Sequence, residues 1–144
     1  MTSEISQPAQ YTELKPKWQE RFAFFDAYGA PSSPHAREAI KTLPKSKQRL
    51  ITMNYYAFFF GPFYFLAIGL WKKALSLTAI AILTAIAIEV GFLLLMGTDT
   101  PRALDRGISI GFAVLFSYCA NYAYYLKTVK NVQNWNPFTG LRFK

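Results

Sequence analysis

The sequence predicts an all-α membrane protein with two transmembrane helices, an aromatic re-entrant or interfacial segment broken at a Gly-Pro pair, and a small helical cytosolic module at its N-terminus. Three observations carry that expectation. Residues 74–96 hold a single charge, Glu89, in twenty-three positions, and a bilayer core about 30 Å thick needs roughly 20 apolar helical residues. Residues 107–126 form a second apolar run of twenty. Thirteen of the 24 charged residues crowd into residues 1–49, so the ordinary hydrophobic average of 52% conceals a sharp division of the chain.

Residues 1–16, with Ser3, Ser6, Pro8 and Thr12, read as a polar disordered tail. No basic start followed by an apolar stretch and a small-residue cleavage site is present, so the first apolar segment is expected to target the chain to the membrane. Residues 17–49 form the expected cytosolic module. Trp18, Phe22 and Phe25 recur at helical spacing and Gly29 supplies a stop, which predicts a short amphipathic helix that docks either on the membrane surface or on the rest of the chain. Ser33-Pro34 then reads as an N-cap and first position, with Ala36, Ile40 and Leu43 as the apolar stripe and Pro44 as the end.

Residues 50–126 are the expected membrane domain. Between positions 55 and 65 eight of eleven residues are aromatic, a density that suits an interface or tight packing better than a lipid-spanning helix. Gly61 and Pro62 interrupt that segment, since proline removes a backbone donor and disfavours helix just before itself. Residues 50–71 therefore either cross, giving three spans, or dip in and return. The charges favour return: it leaves fourteen basic residues inside and two outside, against ten and six for a crossing. The loop between the two clear spans balances Arg102 and Arg106 with Asp99 and Asp105, as suits a translocated side. Gly107 and Gly111 offer a small face for helix packing, which Ala79, Ala85 and Ala87 can oppose. Residues 127–144 are expected to be a basic cytosolic tail with Trp135 and Phe138 at the interface.

A net charge of +8 and a pI near 9.7 can signal nucleic acid, but the basic residues flank apolar segments, so anionic lipid headgroups are the expected counter-charge. Lys45, Lys47, Arg49, Lys72, Lys73, Lys127 and Lys130 are the candidate headgroup contacts.

Several runs resemble a known family: Trp18-Gln-Glu-Arg-Phe-Ala-Phe-Phe-Asp26, Asn54 with Ala57-Phe-Phe-Phe-Gly-Pro-Phe-Tyr64, Trp71-Lys-Lys73, and Asn121-Tyr-Ala-Tyr-Tyr125. Over roughly residues 17–140 the chain is similar to the DUF2628 family of small bacterial inner-membrane proteins of unknown function. The resemblance implies inner-membrane residence and supplies no activity and no catalytic residues.

The residues themselves offer little chemistry. Glu89 is the one acid within a span and a functional candidate by default, because an ionised carboxylate in lipid is costly unless paired, hydrated or neutral. It also lies close enough to the outer interface for water, Arg102 or Arg106 to reach it. Asn54 and Asn121 are candidates to hydrogen-bond across helices. His35 stands in a polar segment without a metal-ligand cluster, and Cys119 lies in an apolar helix as a small hydrophobe. Neither a phosphate-binding loop nor a hydrolytic triad is legible.

These features predict a non-catalytic inner-membrane protein without metal or cofactor, both termini cytosolic, acting as a membrane-anchored adaptor or accessory subunit. Its expected partners are lipids and a protein reached through the helices or residues 17–49, with self-association open and nucleic acid excluded. An oligomeric channel or transporter using Glu89, or a sensor of anionic lipid, are the alternatives.

Overall fold

The structure, a computed structural model, describes residues 11–141. Seven helices and no strand occur among them: α1 (Pro16–Tyr28), α2 (Pro34–Thr42), α3 (Lys45–Thr52), α4 (Tyr55–Phe60), α5 (Pro62–Ala67), α6 (Trp71–Met96) and α7 (Arg102–Val129). Local sequence explains most of the boundaries. Proline occupies the first turn of α1, α2 and α5, where its missing N–H is not needed. The Ser33 hydroxyl accepts from the Ala36 N–H at 3.2 Å and caps α2. Gly97, in the left-handed region at φ 68°, closes α6 by donating to the Leu93 carbonyl at 3.0 Å.

Only α6 and α7 are long and apolar enough to cross a membrane among the described residues. They begin and end slightly beyond the expected spans, at Trp71 rather than 74 and over Arg102–Val129 rather than 107–126. Their two ends have different surroundings. In α6 only Lys73, Ala74 and Leu77 are buried, and in α7 no residue before Phe116 is. No residue from 78 to 96 is buried, a stretch of about 28 Å at about 1.5 Å per residue, close to the thickness of one hydrocarbon core. Leu94 and Leu95 are 79% and 86% exposed, with no polar face on this part of the helix to meet water.

At the other end of the hairpin a head is built around the last turns of α7. One cluster packs Ala57, Phe65, Leu70, Ala74 and Leu77 against Phe116, Cys119, Ala120 and Ala123. A second sets Phe22, Phe24, Phe25 and Ile51 against Tyr125 and Leu126. Each fully buried phenylalanine contributes on the order of 2 kcal/mol through its removed apolar surface. The first helix therefore docks on the chain itself. It is also not one-sided: Arg21 through Phe25 are all buried, because α7 covers one side while α2 and α3 cover others.

Residues 50–71 do not form one helix. The chain breaks at Asn54 and again at Gly61, leaving two six-residue helices of about 9 Å each. Gly61 takes φ 48°, ψ −121°, a conformation that side-chain-bearing residues rarely adopt. Both ends of this small helical hairpin are held near the C-terminal half of α7, at Ser117 through Asn54 and at Lys127 through Ile68.

Of the tail expected over 1–16, residues 1–10 lie outside the described residues. From Tyr11 onward the chain is packed: this ring is buried against Phe22 and its hydroxyl donates to Asp26. The C-terminal segment is likewise not a free basic tail. It folds back along the head, with Phe138 and Leu141 against the first cluster, while Arg142 and Lys144 lie outside the described residues.

Candidate functional site

The most elaborate polar site lies where α3, α4 and α7 meet, beneath the hairpin. Chain order explains its location: α3 ends at Thr52 with unsatisfied carbonyls, and α4 begins at Tyr55 with unsatisfied N–H groups. Asn54 serves the second set. Its Oδ1 accepts from the backbone N–H groups of Tyr56 at 3.1 Å and Ala57 at 3.2 Å, an N-cap for the aromatic helix. Asn121 serves the first. Its Nδ2 donates to the carbonyls of Ile51 at 3.0 Å and Met53 at 3.1 Å, with Leu50 at 3.4 Å.

The two asparagines also join each other, Asn54 Nδ2 donating to Asn121 Oδ1 at 3.1 Å. Asn54 donates further to the Tyr64 hydroxyl at 3.2 Å, and its backbone N–H to the Ser117 hydroxyl at 3.0 Å. From the opposite side Arg21 reaches the same carbonyls, through Nε to Leu50 at 2.7 Å and Nη2 to Met53 at 3.3 Å. Its guanidinium stacks over the Trp18 ring, 4.6 Å from the centroid. Burial pulls the Arg21 pKa down to about 10, opposed by Tyr64 and Glu20, so it stays charged at neutral pH. The result is a closed hub that locks α1, α3, α4, α5 and α7 together.

Two further polar contacts extend this lock. Asp26 accepts from the hydroxyls of both Tyr11 and Tyr125, linking the N-terminal segment, α1 and α7. Lys73 is 1% exposed, and its ammonium donates to Asn134 Oδ1 at 2.7 Å and the Asn136 carbonyl at 2.6 Å. This corrects the expectation of a headgroup contact at Lys73: the side chain turns inward to hold the C-terminal segment. Lys127 similarly donates to the Ile68 carbonyl at 2.9 Å, at the end of α5. Gln133 adds a bond to the Gly69 carbonyl at 2.8 Å, and Trp135 meets Trp71 edge-on beneath Lys72.

The other residues singled out in the sequence lie elsewhere. Lys45, Lys47, Arg49 and Lys130 are exposed, and Lys47 pairs with Glu20. His35 is exposed and Cys119 buried. Glu89 sits near the far end of the hairpin, where it accepts from the Thr100 N–H at 3.4 Å. Gly107 and Gly111 face open space, and a Cβ on either would meet nothing within 4 Å. No group of three His, Cys, Asp or Glu residues is placed to hold a metal among the described residues.

Sequence reasoning singled out Asn54 and Asn121 as candidates for bonds across helices, without joining them to each other, and missed Arg21, Tyr64, Asp26, Asn134 and Asn136. A signal existed for one of these. An arginine amid Phe22, Phe24 and Phe25 must find acceptors if that helix is packed on both sides.

The match to a family model, described as a protein of unknown function (DUF2628), covers residues 6–130. Two curated relatives, each described as uncharacterized protein YigF, come from Salmonella typhimurium and Escherichia coli K12. The first is 35% identical over 131 residues and the second 34% over 128, each alignment covering 85% of this chain and 91% of the relative. No solved structure matches the chain. The agreement over most of its length with the family model and with these bacterial relatives places the chain in the DUF2628 family.

Proposed function

We propose that the protein is a non-catalytic, membrane-anchored adaptor or accessory subunit of the bacterial inner membrane, with both termini cytosolic. One observation carries this reading: the head is built around the end of a membrane-length helix instead of being tethered to it. Phe22 and Phe25 pack on Tyr125, and Trp18 on Tyr124, so a partner bound to α1–α3 is tied rigidly to α7. A loose tether would give proximity alone, whereas this arrangement fixes orientation as well.

The topology rests on charge and anchors. Fourteen of the 16 lysines and arginines belong to the head end or its flanking termini, and the tip loop is balanced. Trp71, Trp135 and the exposed Phe59 and Phe63, 75% and 76% accessible, suit the cytoplasmic interface. The α4–α5 hairpin is read as a shallow interfacial insertion, supported by both its ends being held on the head side. Glu89 is read as a loop-holding carboxylate, supported by its contact with the Thr100 N–H.

Photo-crosslinking side chains placed at Lys41 on the head and Ile82 on the hairpin, both exposed, test the role in intact membranes. The adaptor reading expects one specific protein captured at Lys41 and recovered in complex with the full chain. Self-crosslinks and lipid alone at both positions, with solute flux in liposomes that Glu89→Gln abolishes, would replace it with the channel reading.

A further inference from the structure

A groove of about 290 Å³ opens where α7 emerges from the head. Helix α7 contributes Leu115 and Tyr118, the C-terminal segment Leu141, and the α1–α2 turn and α2 contribute Ser32 and Arg37. No acidic residue lines it. The Arg37 guanidinium has neither an ion pair nor a side-chain hydrogen bond among the described residues, and Lys41 lies one turn further along α2. A cation is thus left unneutralised at one side of a mostly apolar recess, whose other polar lining residues, Ser32, Thr52 and Tyr118, are uncharged.

The recess continues onto the hairpin. Leu104, Ile108, Gly111, Leu115 and Tyr118 follow one another at spacings of three or four and so share one face of α7. Gly111 notches that face, since a Cβ there would meet nothing within 4 Å. Tyr118 marks the level at which an amphipathic ring sits between water and hydrocarbon. The volume is near the low end of the roughly 300–1,000 Å³ typical of small-molecule sites, enough for a headgroup and the start of a chain but not a whole lipid.

We propose that this groove seats one anionic phospholipid, its phosphate on Arg37 and one acyl chain running from Leu115 along the notched face of α7. The proposal rests on the hairpin crossing the bilayer. Charge selects the ligand class: a guanidinium without a carboxylate partner binds a phosphate oxygen through charge-assisted hydrogen bonds. Continuity with the exposed apolar face selects a lipid over a free phosphate, because only a lipid fills the recess and the notch together. It also gives Gly111 a purpose that no intrachain helix contact supplies.

The test uses the full-length protein in an uncharged detergent, titrated with phosphatidylglycerol, phosphatidylcholine or glycerol 3-phosphate and read by native mass spectrometry. One phosphatidylglycerol should bind at saturation, with phosphatidylcholine and glycerol 3-phosphate each at least about tenfold weaker. Arg37→Gln should weaken phosphatidylglycerol about tenfold and phosphatidylcholine, whose choline cation already opposes Arg37 and Lys41, by less, whereas Leu115→Trp should weaken both lipids. Lys17→Gln, an exposed change on α1 outside the groove, should have no effect, and unliganded melting temperatures check that each variant is folded.

Unaltered phosphatidylglycerol binding by folded Arg37→Gln would overturn the site, as would glycerol 3-phosphate binding as tightly as the lipid. Equal weakening by Lys17→Gln would reduce it to diffuse surface charge. The membrane reading is checked separately: extraction of the wild-type chain from cell membranes by alkaline carbonate would defeat that reading itself. Retention of the chain with no lipid selectivity would defeat only the groove.

Discussion

Replacing Asn121 by leucine keeps volume and removes every polar contact its side chain makes in the hub. The loss falls unevenly. The Leu50 and Met53 carbonyls retain Arg21, at 2.7 and 3.3 Å, so they remain partnered. The Ile51 carbonyl has no such reserve, and Asn54 Nδ2 keeps only the Tyr64 hydroxyl. One buried acceptor orphaned outright and one donor half-satisfied, at about 1–3 kcal/mol for each unmade bond, give an expected cost of about 2–6 kcal/mol. Because α3 and α4 meet at this junction, the cost should appear first as local opening. Hydrogen exchange in detergent micelles is the assay. Amides over residues 50–57 should exchange roughly thirtyfold faster or more, while those of residues 78–96 are unchanged. Unchanged exchange over 50–57 in a variant with a wild-type melting temperature would refute the claim that Asn121 closes the hub.

Lys73→Met removes the donor to Asn134 and Asn136, so residues 131–141 should become cleavable by limited proteolysis while the head stays resistant; an uncut segment would show that Trp135 and Gln133 suffice to hold it. Gly61→Ala should destabilise by about 1–3 kcal/mol through backbone strain, since its Cβ would meet only Phe116 at an ordinary 3.8 Å. By contrast Gly107→Ala and Gly111→Ala should leave unliganded stability unchanged or raise it by up to about 1 kcal/mol, as expected in an uncrowded helix interior. Melting temperatures of the three variants compare these directly, and a loss at Gly107 or Gly111 would reveal a helix partner. In a Cys119→Ser background, a cysteine at Asp99 should react with an impermeant reagent on intact cells and one at Lys72 should not; labelling at Lys72 would place residues 50–71 across the bilayer.

The two long helices and the break between α4 and α5 were legible from local sequence. Both are local matters: a run of apolar residues long enough for a bilayer has no competing use for its backbone, and Gly61-Pro62 stops a helix wherever it occurs. Ser33-Pro34 as a helix start was legible for the same reason, as a cap contained within four residues. Which polar residues face one another depends instead on how the helices pack. Lys73 finds Asn134 across 61 positions and Asn54 finds Asn121 across 67, and no spacing rule links them. Lys73 reads in sequence like any interfacial lysine, yet it is buried because α7 leads the chain back to a segment rich in acceptors. The two-sided burial of α1 was likewise hidden, since Phe24 looks misplaced on an amphipathic helix until the end of α7 supplies one wall and α2 and α3 others. Helix existence follows from each segment's own chemistry, whereas burial and polar pairing depend on what the rest of the chain brings alongside.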